Sequence, residues 1–212
     1  MASLDEYLRG SDPRHVLEAR MREQGRLPPG QSLTLKWPVL HTGAVPRFDP
    51  ATWDFRVGGL VEAPVRLDHA ALLALPRSEV VSDFHCVTRW STFDNRWEGV
   101  AFRELLARAR PRPEASHVMV LGHAGETRYG YSTNLPLADL DRPEVVFAWR
   151  QNGQDLSPDH GWPLRLVVPH LYAWKSCKWA RGVIFMAGDK PGYWERLGYH
   201  MRGDPFEEQR FG

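Results

Sequence analysis

Apolar residues in this chain are gathered mostly into short runs, and their spacing predicts short elements. Over residues 4–24, Leu4, Leu8, Val16, Leu17 and Met21 form a loose stripe at helical spacing. Gly10 and Pro13 interrupt it, so two short helices, or one with an irregular start, are expected. Pro28, Pro29 and Gly30 mark a connector. Residues 53–57 alternate apolar and polar, as a half-buried strand does. Residues 118–121, 145–149, 164–168 and 182–186 are apolar runs bounded by Gly, Pro or charge, the pattern of buried strands. Residues 68–75 predict a helix stopped by Pro76, and 102–109 another ending before Pro111. No repeat or linker divides the chain. The pattern predicts a single mixed α+β domain, β-rich in its core, with residues 1–30 as an N-terminal helical segment and connector and 31–212 as the domain proper.

Composition narrows the function classes. Twenty-seven basic against 26 acidic residues give a net charge of +1, so nothing global points to nucleic acid or an acidic membrane surface. No stretch approaches the roughly 18 apolar residues of a membrane span. The N-terminus shows neither a secretory nor a twin-arginine leader pattern, which makes the cytoplasm the expected location. Two cysteines, Cys86 and Cys177, cannot make a multi-bridge scaffold. Nine Trp are many for 212 residues, and such rings wall ligand clefts as well as filling cores. Dinucleotide-binding, P-loop, nucleophile-elbow and zinc-protease motifs do not occur.

Four segments carry candidate chemistry. In Asp83-Phe84-His85-Cys86-Val87-Thr88-Arg89-Trp90-Ser91 a cysteine ends an apparent strand. Its thiolate would suit a redox metal, with its pKa lowered by Arg89 and protonated His85. A buried structural thiol is the plain alternative. In Asp159-His160-Gly161-Trp162-Pro163-Leu164-Arg165 an arginine at the root of an apolar strand needs an anionic partner, for which Asp159 is the internal candidate. In Trp174-Lys175-Ser176-Cys177-Lys178-Trp179-Ala180-Arg181, three cations among small residues make a candidate phosphate cradle or a solvated patch. The segment from Lys190 to Pro205, holding Trp194 and Tyr199, reads as a loop closing over a site or as a docked strap.

In this order the segments resemble the sulfite-oxidase-fold molybdenum enzymes, which include sulfite oxidases, plant-type nitrate reductases and methionine-sulfoxide reductase catalytic subunits. The resemblance runs from about Pro38 to Pro205 and rests on Cys86 in HCVTRWS, on Asn152-Gly153 running into His160-Gly161-Trp162-Pro163-Leu164-Arg165-Leu166, and on Ser176-Cys177-Lys178-Trp179. It implies the sulfite-oxidase catalytic fold and a molybdenum–molybdopterin cofactor in its monophosphate form, with Cys86 as the metal ligand. It also implies that His41, His160, Arg165, Ser176, Cys177 and Lys178 bind the cofactor, Cys177 through its backbone. Tyr199 matches the active-site tyrosine of sulfite oxidases, and Tyr199 and Arg89 are expected to position substrate. Oxygen-atom transfer on a small substrate, an oxyanion or a sulfoxide, is implied. With no haem-type motif, electrons are expected to pass to a separate partner. Leu40 stands where sulfite oxidases carry an arginine, and Thr88-Arg89-Trp90 replaces their Asn-Arg-Arg, so part of the oxyanion-binding arginine set is missing. Two rivals stay open: a zinc or thiol enzyme using Cys86 with His85, and a cofactor-binding relative without turnover.

Overall fold

Two sheets form because the apolar runs have the period and length of strands. The structure, a computed structural model, describes residues 13–123 and 131–212. The first sheet contains β1 (Ser32–Leu33), β4 (Arg77–His85), β5 (Trp90–Ala101), β8 (Val146–Gln151), β9 (Gln154–Asp155) and β10 (Arg165–Val167), in the order β1-β5-β8-β10 with β4 on β5 and β9 on β8. The second contains β2 (Asp54–Gly59), β3 (Val65–Asp68), β6 (His117–Gly122), β7 (Ser132–Pro136) and β11 (Ala180–Met186), in the order β3-β2-β11-β6-β7. Among the described residues, four short helices accompany them: α1 (Pro13–Glu23), α2 (His69–Leu73), α3 (Phe102–Ala109) and α4 (Leu137–Leu140).

The main core draws on both sheets, with Phe55, Val57, Val118, Val120, Val183 and Phe185 from one and Val100, Phe147, Leu164, Leu166 and Val168 from or beside the other. Successive strand residues face opposite sides. Val146, Ala148 and Val167 therefore point away from that core, into a second apolar cluster with Phe84 and Trp97. A strand packed on both faces reads as an unbroken apolar run, which is why residues 145–149 do. Arg165 shares the parity of Val167, so its guanidinium lies over Phe84 and Trp97 at 5.0 and 5.7 Å. This second face is where the cleft opens.

The predicted helix over 102–109 is found as such, and the five predicted strands overlap β2, β6, β8, β10 and β11. The stripe over 4–24 is a helix from Pro13, with the proline at its first turn, where a missing N–H costs nothing. Its earlier residues lie outside those described. Met21 packs with Leu27 and Leu33, and Leu33 N donates to Glu18 at 2.9 Å, so the helix is docked on the sheet. Among the described residues, no helix is long and apolar enough to cross a membrane.

Candidate active site

The long β4–β5 hairpin ends in a tight turn that begins at Cys86. Cys86 N donates to the Trp90 carbonyl at 2.9 Å and Arg89 N to the Cys86 carbonyl at 3.0 Å. Phe84 and Cys86, two residues apart, face the same side and line one cleft of about 220 Å³. The cleft also takes in His41, His160, Arg165, Ser176, Cys177, Lys178 and Tyr199, so residues spread over 159 positions of sequence converge. Arg89 is the exception: it is exposed, is not among the lining residues, and its Nη1 sits beside Gly30. A long side chain at a left-handed turn position, φ 72°, leaves the hairpin on the far side.

Arg165 sets the electrostatics. It is 2% exposed, and its donors reach only neutral carbonyls, those of His160 at 3.0 Å and Ser176 at 3.2 Å. Its Nε has no partner, and burial pushes its pKa down to about 9. Asp159, the internal counter-ion expected from the sequence, instead faces His41 at 3.9 Å. Lys178 converges on the same space, donating to the carbonyls of Asp159 at 2.7 Å and Leu40 at 3.0 Å. Burial, then Arg165, pushes Lys178 down to about 7. Two cations thus share this space with no carboxylate paired to either among the described residues, leaving positive charge in the cleft uncompensated.

The other two cations of the expected cradle are engaged elsewhere. Lys175 is fully buried and pairs with Glu195 at 2.6 Å, while Arg181 bonds Asp54 at 3.0 Å. Both are structural, because internal carboxylates reach them first. Ser176 is buried and contributes through its carbonyl to Arg165 and through its hydroxyl, which accepts from Val168 N at 3.0 Å. Cys177 is buried, and burial pushes its thiol up to about 12.

His160 is neutral. Burial, then Arg165 and Lys178, pushes it down to about 4, and its ring bonds Ser157 Oγ at 2.8 Å and the Trp37 carbonyl at 3.2 Å. Burial likewise raises the Cys86 thiol, opposed by the Thr88 hydroxyl 3.1 Å from Sγ. The lowered thiol pKa expected from Arg89 and protonated His85 is not found. His85 is buried, bonds Ser91 Oγ at 2.8 Å, and is pushed down to about 4 by burial. Nor do His85 and Cys86 form a zinc site: among the described residues no three His, Cys, Asp or Glu side chains converge as metal ligands.

Trp37 and Tyr131 are among the cleft residues that sequence reasoning missed. Trp37 stacks on His160 with centroids 3.8 Å apart, and Tyr131 donates to the Thr42 carbonyl at 2.7 Å, its hydroxyl pushed up to about 12 by burial. A tryptophan before a proline, in Trp37-Pro38, was the available signal for the first; Tyr131 had none.

The two-sheet fold thus gathers the Cys86 turn and the cations Arg165 and Lys178 around one cleft. Residues 42–194 match the model of the oxidoreductase molybdopterin binding domain, and the chain belongs to that family of enzymes. It is 48% identical over 190 residues to the uncharacterized oxidoreductase YuiH of Bacillus subtilis (strain 168), covering 89% of this chain and 93% of that protein. It is 33% identical to the protein-methionine-sulfoxide reductase catalytic subunit MsrP of Gluconobacter oxydans, over 71% of this chain and 52% of that one. Against a nitrate reductase of Hordeum vulgare it is 28% identical but spans only 20% of that protein's length. The sulfane dehydrogenase SoxCD of Paracoccus pantotrophus shares the fold, with a TM-score of 0.59 at 23% identity over 68% of this chain and 40% of that one.

Proposed function

We propose that the cleft holds a mononuclear molybdenum–pterin monophosphate with Cys86 as the protein ligand to the metal, and that the enzyme carries out oxygen-atom transfer on a small substrate. The observation that carries this reading is Arg165, a buried cation with neutral partners and an unpartnered Nε. Burying a charge unpaired is costly, so the fold is complementary to an anion at this point, and a phosphate dianion fits the fork of Arg165 with Lys178 beside it. His160, neutral and stacked on Trp37, offers a flat polar wall for a pterin ring; Ser176 and Cys177 would wrap the phosphate end, and His41 would close the rim.

The bound cofactor supplies two-electron redox chemistry, while the protein supplies binding, orientation and field. Tyr199 lines the cleft with its hydroxyl pKa raised by burial, so it remains a hydrogen-bond donor at neutral pH and is suited to holding a substrate oxygen. Arg89 lies off the cleft, which leaves Tyr199 as the positioning group of the expected pair. With Arg165 and Lys178 given to the phosphate, no further cation lines the cleft among the described residues. Trp90, Trp174 and Trp194 wall it instead, favouring a neutral sulfoxide over an oxyanion. Electrons would be exchanged with a separate partner, in a cytoplasm where the two free cysteines stay reduced.

The test is elemental analysis for molybdenum and zinc on protein from a host able to make the cofactor, with fluorescence of the released pterin. Near-stoichiometric molybdenum with pterin is expected. Cys86→Ser should keep the pterin while losing the thiolate-to-metal charge-transfer absorption; an unchanged band would remove the ligand assignment. Full cofactor with no redox activity toward any donor would favour the relative without turnover.

A further inference from the structure

The turn that presents Cys86 is held from the side away from the cleft. Its last residue, Arg89, has φ 72°, a conformation that a residue with a side chain keeps only when its surroundings over-determine it. Three donors from outside the hairpin meet the turn's carbonyls. Gln31 Nε2 donates to the Cys86 carbonyl at 2.9 Å, Arg210 Nη1 to the Val87 carbonyl at 2.7 Å, and Ser32 N to the Arg89 carbonyl at 3.0 Å. Arg210 arrives from 123 residues away in sequence and is only 7% exposed, lying 5.0 Å over the Tyr172 ring. The same segment reaches the other side of the cleft. Phe211 forms an antiparallel bridge with Tyr199, and Gly212 N donates to the Gly198 carbonyl at 3.2 Å.

We infer that Arg210 and Gln31 are positioning residues that fix the direction of the Cys86 side chain, and that residues 208–212 clamp the ligand turn to the loop carrying Tyr199. The physical reason is that the Cα–Cβ bond of Cys86, which sets the few staggered positions open to Sγ, cannot be redirected without rotating the peptides that follow Cys86. Each such rotation must pull a carbonyl off its donor, and the bond from Arg210 is charge-assisted, the stronger kind. The inference rests on Cys86 as the metal ligand. Neither residue touches the cleft, and each acts through the backbone of the turn.

The experiment compares holoenzyme with Arg210→Met, Arg210→Lys and Gln31→Met, reading released pterin, charge-transfer absorption and hydrogen–deuterium exchange of residues 84–91. Pterin content should be unchanged in all three. Arg210→Met should speed exchange of that segment about tenfold and shift or broaden the absorption, with Arg210→Lys intermediate. Native exchange together with a native band in Arg210→Met would overturn the clamp. If Arg210→Met does not fold, Gln31→Met, which removes an uncharged donor at nearly constant volume, carries the same two outcomes. The two readings fail separately. A band that survives Cys86→Ser removes the ligand assignment, whereas a band lost in Cys86→Ser but indifferent to Arg210→Met and Gln31→Met removes only the clamp.

Discussion

At Gly161 the backbone φ is 116°, and a Cβ there would lie 3.0 Å from Cβ of Arg165 and 3.3 Å from Cβ of Lys178. One glycine thus lets the two cations of the cleft approach the chain that carries His160. Gly161→Ala should cost about 1–3 kcal/mol of stability through the strained φ, measured by chemical denaturation, and lower pterin content by displacing both cations. Titration supplies a second prediction. His85 and His160 are both pushed from an ordinary 6.5 down to about 4, burial being the first cause in each. Between these values the unfolded chain binds protons that the folded chain refuses. Their contribution is therefore constant above pH 6.5 and is lost as pH falls from 6.5 through 4. Denaturation midpoints of cofactor-free protein should drop across that window, and less steeply in His160→Gln. Equal slopes for the two proteins would show that His160 titrates normally.

Among elements, the 190–205 loop depends most on a single buried contact. Lys175 Nζ donates to the Asn134 carbonyl at 2.9 Å and pairs with Glu195, which also accepts from Trp174 Nε1 at 2.9 Å. This pair pins the loop holding Trp194 and Tyr199 to β7 and to the segment before Ser176. Lys175→Met should cost about 3–5 kcal/mol, because it leaves Glu195 buried without its counter-charge, and adding Glu195→Gln should recover part of that loss. A double mutant no more stable than Lys175→Met would show the pair to be uncoupled. The same scale shows what the sequence concealed. Strands packed in the core were legible because both faces are apolar, as in Val145-Val146-Phe147-Ala148-Trp149. Of β4 only the end before Cys86 was legible, and β5 was not, because charged residues such as Glu79 and Arg96, paired across the hairpin at 2.9 Å, face solvent and break the apolar pattern. β7, with Ser132, Thr133 and Asn134, is polar yet buried, since the 190–205 loop covers it: Tyr193 N donates to the Ser132 carbonyl at 2.8 Å.

For the molecule as a whole, the core between the sheets and the cleft share only a border, at residues such as Cys177 and Tyr131. The core uses Phe55, Val57, Phe147 and Phe185, none of which lines the cleft. Protein made without cofactor should therefore keep both sheets. Hydrogen exchange in loaded and cofactor-free protein should differ at residues 37–41, 84–90, 157–165, 173–179 and 192–200, with β2, β6 and β11 alike in both. Loss of protection in those three strands would mean that the cofactor completes the core. The sequence by itself determined the strand and helix runs that fill this core, and the local motifs around Cys86, His160 and Lys178, because burial period and turn chemistry are short-range properties. Only the tertiary structure decided which charges are spare. Lys175 and Arg181 looked like cradle residues until Glu195 and Asp54 met them, and Arg89 looked like a cleft residue until its φ turned it away. Arg165 kept no carboxylate among the described residues, and a partner distant in sequence is a fact of packing that no local pattern encodes.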